Sequence, residues 1–166
     1  FYMKAKKLYT GITLMEKKFK KNQTYFYLKT PNISIIIAAI KKKFLVVSQK
    51  RIPINKITYE FPGGIIDKGS TPIGSAKAEL FEETGYECKN IPKKIGAIYP
   101  DPGRLDCKYI CYFTNKIKKI NLPEKGIRLH LLSKSQIIKL IDKKKFSHAC
   151  HVYAFFLYLS KIDKFN

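Results

Sequence analysis

Residues 64–86 read GIIDKGSTPIGSAKAELFEETGY, and this stretch contains the strongest structural signal in the chain. Thr71 followed by Pro72 is typical of a helix start, because threonine caps the first turn and proline tolerates the first helical position. Gly85 suits the left-handed residue that commonly ends a helix. The spacing therefore predicts a helix over residues 72–84.

Short segments rich in β-branched and aromatic residues lie on both sides of this helix, separated by turn residues. They predict strands over residues 12–19, 24–30, 33–40, 44–49, 95–99, 108–113 and 127–132. Two further helices are predicted over residues 134–144 and 146–160. Strands and helices that are interspersed without strict alternation indicate an α/β fold with a mixed sheet, and we expect one domain over residues 1–166.

Acidic residues are scarce, at 12 against 33 lysines and arginines, yet half of them lie between Glu60 and Glu87. Glu79, Glu82 and Glu83 are three and four residues apart, so the predicted helix places them on one face. Three neighbouring carboxylates repel one another unless a cation lies between them, and hard divalent cations prefer oxygen ligands. The pattern therefore indicates either a divalent-metal site or an exposed acidic helix face.

The same stretch resembles the Nudix box, G-x5-E-x7-R-E-U-x-E-E-x-G-U, where U is a bulky apolar residue. The spacing is intact, and the matching residues are Gly64, Glu79, Leu80, Glu82, Glu83, Gly85 and Tyr86. Two positions depart, since Ser70 replaces a glutamate and Ala78 replaces an arginine. In the family these two generally belong to one ion-pair network that braces the helix. Their joint loss fits an enzyme in which other contacts support the helix, and it fits equally a chain that is no longer selected for catalysis.

The flanking residues resemble the ADP-ribose pyrophosphatase branch of this family. VSQKRIP (residues 47–53) and YEFPGG (residues 59–64) are similar to its VxQYRxP and ELPGG segments, and YPDPG (residues 99–103) is similar to its proline-glycine loop. The resemblance implies an α/β/α sandwich around a mixed β-sheet. It also implies a small antiparallel strand region at residues 1–30, which in this branch often contributes to a homodimer. Tyr25, Phe26 and Tyr27 lie in a strand of this region, and because the chain has no tryptophan, stacking on adenine would fall to tyrosine or phenylalanine.

The activity implied by the resemblance is Mg²⁺-dependent hydrolysis of a nucleoside diphosphate sugar, with Mn²⁺ as a possible substitute. The leading substrate is ADP-ribose, and the products are AMP and ribose 5-phosphate. By position, the expected metal ligands are Gly63, Glu79, Glu82 and Glu83. The expected catalytic residues are Glu82, Glu83 and Glu124. The expected substrate-binding residues are Arg51, Glu60, Pro102, Gly103 and Arg104.

The net charge of +21 keeps two other functions open. A lysine-rich surface suits a catalytically silent Nudix-fold subunit that binds RNA or braces a ribonucleoprotein assembly, and it also suits a Nudix enzyme acting on capped RNA. An AT-rich genome explains the lysine content without any partner. The four cysteines form no paired motif and indicate a reducing compartment, so we expect a cytoplasmic protein, or an organelle-matrix protein if a targeting segment has been lost. No apolar run is long enough for a membrane span, and we expect no membrane partner.

Overall fold

The structure is a computed structural model that describes residues 3–9, 11–20 and 23–162. The chain begins with β1 (Met3–Tyr9), β2 (Ile12–Lys20), β3 (Gln23–Lys29), β4 (Ile33–Ile40), β5 (Lys43–Arg51), β6 (Lys56–Glu60) and β7 (Gly63–Ile65). It continues with α1 (Pro72–Thr84), β8 (Tyr86–Cys88), β9 (Lys93–Ile98), β10 (Leu105–Asp106), β11 (Tyr109–Thr114), β12 (Ile117–Lys119) and β13 (Arg128–Leu132), and ends with α2 (Lys134–Asp142) and α3 (Ala149–Lys161).

The central sheet has the order β13-β5-β4-β11-β9, with β6 paired to β5 and β7 paired to β4. The pair β4–β11 is parallel and the other pairs are antiparallel, so the sheet is mixed. A smaller sheet of order β1-β2-β3-β10 contains the N-terminal strands, and β8 and β12 form a separate pair. The predicted mixed α/β fold is confirmed.

Helices cover both faces of the central sheet because side chains of β4 alternate between two apolar cores. Ile35 and Ile37 belong to the core that includes Phe155 of α3. Ile36 and Ala38 belong to the opposite core, which includes Leu80 of α1. A strand that is buried on both faces reads as a continuous apolar run, and this explains the sequence ISIIIAAI of β4.

The functional region lies where β4 and β5 separate. The two strands pair only at Ala39 and Ile40 of β4, and from Val47 onward β5 pairs with β6 instead. The other end of β4 pairs with β7, and the amide of Ile36 donates to the carbonyl of Pro62 at 2.9 Å. The turn between β6 and β7 is therefore fixed in the gap between two diverging strands.

The structure confirms the predicted helix α1 with its caps and corrects the ends of the other two helices. The Thr71 hydroxyl accepts a hydrogen bond from the Gly74 amide at 3.1 Å, and Gly85 has a φ of +69°. Helix α2 ends at Asp142 instead of residue 144, because Lys144 adopts a φ of +55°. Helix α3 begins at Ala149 instead of residue 146, because His148 is its non-helical N-cap residue.

Five short strands were not predicted: β6, β7, β8, β10 and β12. Each has two to five residues, too few to show a periodic pattern. In the N-terminal region the predicted strands are present as β2 and β3, and β1 precedes them, while residues 1, 2, 10, 21 and 22 of that region lie outside the described residues. Among the helices in the described ranges, none combines the length and the apolar character that crossing a membrane requires.

Candidate active site

Two of the three glutamates of α1 contact the start of β7, and the three differ in burial. Glu83 is buried, Glu79 is partly buried and Glu82 is exposed. The Gly63 amide donates to Oε2 of Glu83 at 3.1 Å, which ties the end of α1 to the start of β7. The carboxylate of Glu79 lies directly against Gly64. The structure therefore places Glu79 and Glu83 beside the two glycines, with Glu82 exposed on the same helix.

Positions 63 and 64, at the start of β7, require glycine because the backbone there passes too close to its neighbours for a side chain. A Cβ on Gly63 would collide with the carbonyl oxygen of Ser34, and a Cβ on Gly64 would collide with the carboxylate of Glu79. The two glycines therefore allow β7 to approach both β4 and the acidic face of α1.

Glu79 and Glu83 are held in surroundings that disfavour their charged form. Burial and the nearby charges of Glu79 and Glu60 raise the pKa of Glu83 to about 8, although the Gly63 amide and Arg51 act in the opposite direction. Burial also raises the pKa of Glu79, and the charges of Glu82, Asp67 and Glu124 add to the effect. A bound divalent cation would relieve this repulsion, so the donor set of carboxylate oxygens fits Mg²⁺ or Mn²⁺.

A second charged group, the ion pair of Arg51 and Glu60, lies beside this cluster. Glu60 is 1% exposed, and it accepts hydrogen bonds from Nε of Arg51 at 2.9 Å, from Nη2 of Arg51 and from the hydroxyl of Thr58. Burial alone would raise the pKa of Glu60, but the hydrogen bonds from Arg51 and Thr58 and the nearby His151 lower it to about 2. Glu60 is therefore ionised and orients a guanidinium whose side chain remains 40% exposed.

Two histidines that sequence reasoning did not assign to the site lie next to Glu60. The ring of His151 is 3% exposed, and its Nε2 lies 3.7 Å from Oε2 of Glu60. The ring of His148 contacts His151 with a centroid separation of 4.5 Å, and its Nδ1 is buried without a hydrogen-bond partner among the described residues. The spacing of His148 and His151 was visible in the sequence, but their distance from Glu60 along the chain hid the contact.

A cavity of about 460 Å³ connects these groups. Its polar lining includes Arg51, Glu60 and His148, and Gly63 and Gly64 form the wall next to the carboxylate cluster. The volume lies within the range of about 300–1,000 Å³ that is typical of small-molecule sites. The substrate residues predicted on β5 and β6 are therefore brought together with the predicted metal ligands.

A second cavity of about 630 Å³ lies between the N-terminal sheet and the loop before β10. Tyr25, Tyr27 and Tyr99 contribute aromatic rings to it, and Pro102 and Gly103 form its other wall. The Tyr25 hydroxyl donates a hydrogen bond to the Gly103 carbonyl, which fixes the loop against β3. The predicted residues Pro102 and Gly103 thus line a cavity different from the one next to the carboxylates.

The remaining predicted residues lie at the surface. The backbone amide of Glu124 donates to the carbonyl of Glu82 at 2.9 Å, which places its loop against the end of α1. Arg104 is exposed and lines neither of the two cavities. Ser70 and Ala78 are both exposed and border a cleft of about 220 Å³ that also includes Asp67 and Glu79.

Comparisons with known proteins identify relatives of this chain. The chain is 36% identical over 74 residues to an ADP-ribose pyrophosphatase of Bacillus subtilis, an alignment that covers 45% of this chain and 40% of the relative. It is 38% identical over 63 residues to an ADP-sugar pyrophosphatase of Mus musculus, covering 38% of this chain and 28% of that protein. These alignments span less than half of the length of either relative.

The fold as a whole resembles a solved structure described as an ADP compounds hydrolase. The TM-score is 0.83 at 15% sequence identity, and the superposition covers 99% of this chain and 94% of the other. At this identity the likeness concerns the fold only. The sequence profile of the NUDIX domain matches residues 28–148, which is more than two thirds of the chain. The chain therefore belongs to the NUDIX domain family.

Proposed function

We propose that the protein hydrolyses the pyrophosphate bond of a nucleoside diphosphate sugar, with ADP-ribose as the leading substrate and AMP and ribose 5-phosphate as products. The main support is the position of Glu83 and Glu79 of α1 against Gly63 and Gly64, which line the cavity that contains Arg51. The names of the relatives agree with this reaction class.

Glu79, Glu82 and Glu83, with the Gly63 carbonyl, are the residues that would hold Mg²⁺ or Mn²⁺. Such an ion, when bound, neutralises pyrophosphate oxygens and lowers the pKa of a bound water. The protein itself contributes the fixed positions of the carboxylates, because the Gly63 amide holds Glu83 and the absence of a side chain on Gly64 leaves room for Glu79. Glu82 is exposed at the mouth of the same cluster and would contribute to the catalytic group.

Arg51 would bind and orient a substrate phosphate. The carboxylate of Glu60 holds one edge of the guanidinium through two hydrogen bonds, and the rest of this planar group borders the cavity. Because Glu60 remains ionised, the guanidinium keeps a fixed direction and does not need to be ordered when the substrate binds.

Glu124 is our candidate for the residue that positions or deprotonates the attacking water. Its loop is held against α1 by the backbone hydrogen bond to Glu82, and its charge contributes to the raised pKa of Glu79. The side chain is exposed, so it can reach toward the cluster without losing a buried contact. We assign it the role of proton acceptor on this proximity.

The nucleobase would occupy the cavity lined by Tyr25, Tyr27 and Tyr99. Aromatic side chains stack on the faces of bases, and the Pro102–Gly103 wall closes the opposite side. Under this proposal the N-terminal sheet belongs to the substrate site, and pairing of two such sheets would give the homodimer expected for this branch.

The distribution of lysines favours the enzyme over a silent RNA-binding subunit. Lys77 of α1 and Lys139 of α2 are both exposed, although these helices cover opposite faces of the central sheet. Exposed lysines also occur at Lys41 and Lys42 in the turn after β4. Positive charge on both faces of the sandwich is what a compositional bias produces.

The test is the formation of AMP from ADP-ribose with excess Mg²⁺, compared with the same reaction in EDTA. Glu83→Gln is the matched inactive variant, and Glu87→Gln is the control because Glu87 is exposed and pairs with Lys89 at 2.6 Å outside the site. We expect AMP only with metal, from the unaltered protein and the control. No AMP from a folded sample, together with binding of RNA, would favour the silent subunit. Cleavage of a capped RNA oligonucleotide in preference to ADP-ribose would favour a Nudix enzyme that acts on capped RNA.

A further inference from the structure

Two histidines that the proposed hydrolysis does not use, His148 and His151, lie beside Glu60. One donor or acceptor atom from each of these side chains lies within 4.8 Å of the other two. The group lines the cavity of about 460 Å³ at a site that also includes Tyr109. Within this group the buried Nδ1 of His148 has no hydrogen-bond partner among the described residues, so the cavity offers a polar atom that a ligand can use.

The hydrogen bonds of His151 exclude it as a metal ligand through Nε2. The amide of Phe61 donates to Nδ1 of His151 at 3.1 Å, so Nδ1 has no proton. A neutral imidazole then has its proton on Nε2, the atom that faces Glu60. Burial and the neighbouring His148 lower the pKa of His151 to about 3, so the ring is neutral at physiological pH.

The distances leave room for one small atom between the three side chains. The His151 Nε2 to Glu60 Oε2 distance is 3.7 Å, too long for a direct hydrogen bond. The three side-chain atoms all lie within 4.8 Å of one another, so a single oxygen atom can come within hydrogen-bond distance of each of them.

We propose that Glu60, His148 and His151 form a hydroxyl-binding subsite that selects a sugar as the moiety beyond the second phosphate. A hydroxyl group at this point donates its proton to Oε2 of Glu60 and accepts the Nε2 proton of His151. His148 offers a ring nitrogen to the same or an adjacent hydroxyl, and its buried Nδ1 lacks any other partner among the described residues. This inference rests on the proposed function, since it names the chemistry of the substrate moiety that fills the cavity.

The subsite has one hydrogen-bond acceptor and one donor, and this combination explains why a hydroxyl is preferred. Glu60 is an acceptor and His151 is a donor, and a hydroxyl is both, whereas a phosphate oxygen would meet the negative charge of Glu60. The guanidinium of Arg51, at the same carboxylate, is the group that suits the phosphate. A sugar phosphate would thus place its phosphate near Arg51 and its hydroxyls near the histidines.

The activity test compares His148→Phe with the unaltered protein on two substrates, ADP-ribose and an ADP whose second phosphate carries only a methyl group. Phenylalanine keeps the ring and removes the nitrogens. We expect kcat/KM for ADP-ribose to fall about 10- to 100-fold, since a polar site loses hydrogen bonds to its substrate, and kcat/KM for the methyl ester to stay within about twofold. His130→Gln is the control, because His130 lies on β13 and contacts Ser48 and Tyr59. Equal losses on both substrates, or no loss on either, would overturn the subsite.

A binding test separates failure of this inference from failure of the proposed function. The chain has three histidines, so imidazole ¹⁵N spectra can be assigned with His130→Gln and His148→Phe. Ribose 5-phosphate should shift the His148 and His151 signals, and methyl phosphate should not, whether or not the protein turns over ADP-ribose. Identical responses to the two phosphates would contradict the hydroxyl site. Stoichiometric binding of Zn²⁺ that is lost in His148→Phe would replace it with a metal site.

Discussion

Glu83→Gln should abolish metal-dependent turnover and at the same time stabilise the metal-free protein. The carboxyl of Glu83 is 6% exposed, and its pKa is raised to about 8 by burial and by the charges of Glu79 and Glu60. Its usual pKa of 4.5 applies in the unfolded chain. Between these two values the Glu83 carboxyl holds one proton more in the folded protein than in the unfolded chain, so its contribution to the free energy of unfolding decreases as the pH rises from 4.5 to 8.

The magnitude follows from the difference between the two pKa values. At pH 7 the unfolded chain gains about 3 kcal/mol from ionising Glu83, whereas the folded protein gains almost nothing. A glutamine has no such ionisation, and its amide oxygen can still accept the hydrogen bond of the Gly63 amide. We therefore expect Glu83→Gln to raise Tm at pH 7 by about 6–12 °C, and the increase to disappear near pH 4.

The assay is thermal unfolding in EDTA at several pH values, followed by a repeat with Mg²⁺. The unaltered protein should gain stability from Mg²⁺ because a ligand bound only to the folded state stabilises it, and Glu83→Gln should gain little. Glu87→Gln should change neither result, since Glu87 is exposed. A lower Tm for Glu83→Gln at pH 7, or an increase that does not depend on pH, would refute the reasoning.

Three further predictions concern neighbouring groups. Arg51→Met should destabilise the protein by about 3–5 kcal/mol in urea unfolding, because it leaves the buried charge of Glu60 unpaired; adding Glu60→Gln should recover part of this loss, and strict additivity would contradict the coupling. Gly64→Ala should lower metal-dependent turnover about a hundredfold while Tm in EDTA changes little, since the new Cβ displaces Glu79, and normal turnover would refute this contact. The stability of the metal-free protein should be nearly constant from pH 4.5 to 6.5. In this range Glu83 is protonated in the folded protein and ionised in the unfolded chain, whereas His151, with a pKa of about 3 against its usual 6.5, is neutral in the folded protein and protonated in the unfolded chain. The two effects on the free energy of unfolding therefore offset each other. The stability should fall above and below this range in denaturant titrations, more steeply on the acid side, where Glu60 must also be protonated. A maximum at pH 8 would contradict the raised pKa of Glu83, and a steady fall from pH 4.5 to 6.5 would contradict the lowered pKa of His151.

The sequence was sufficient for features that depend on local spacing. Thr71, Pro72 and Gly85 predicted the limits of α1, because the caps of a helix act on the residues next to them. The three carboxylates could be placed on one face for the same reason, since three- and four-residue separations fix their direction on a helix. The run of apolar residues at 33–40 likewise predicted the strand β4, and the structure shows that it is buried on both faces.

The contacts of Glu60 could not be predicted because they depend on tertiary structure. Its neighbour His151 is 91 residues away in the chain, and the two meet only because α3 packs on the sheet where β4 and β5 separate. The short strand β6, which ends at Glu60, has five residues and no clear alternation. The hydroxyl subsite therefore follows from long-range packing that no local pattern in the sequence reveals.

The two departures from the Nudix box do not by themselves weaken the case for an enzyme. Ser70 and Ala78 are exposed, so an ion pair between these positions would be worth only about 0–1 kcal/mol, and the loss of both partners leaves no buried charge. Their absence does change the surroundings of Glu79, whose pKa is raised by burial and by Glu82, Asp67 and Glu124. Because an arginine at position 78 would have supplied a positive charge to this helix face, its replacement by alanine leaves compensation of these carboxylates to a bound cation. We therefore expect the carboxylates of α1 to depend on a bound cation for compensation of their charge. The gain in Tm from Mg²⁺ in the unaltered protein, compared with Glu83→Gln, measures this dependence.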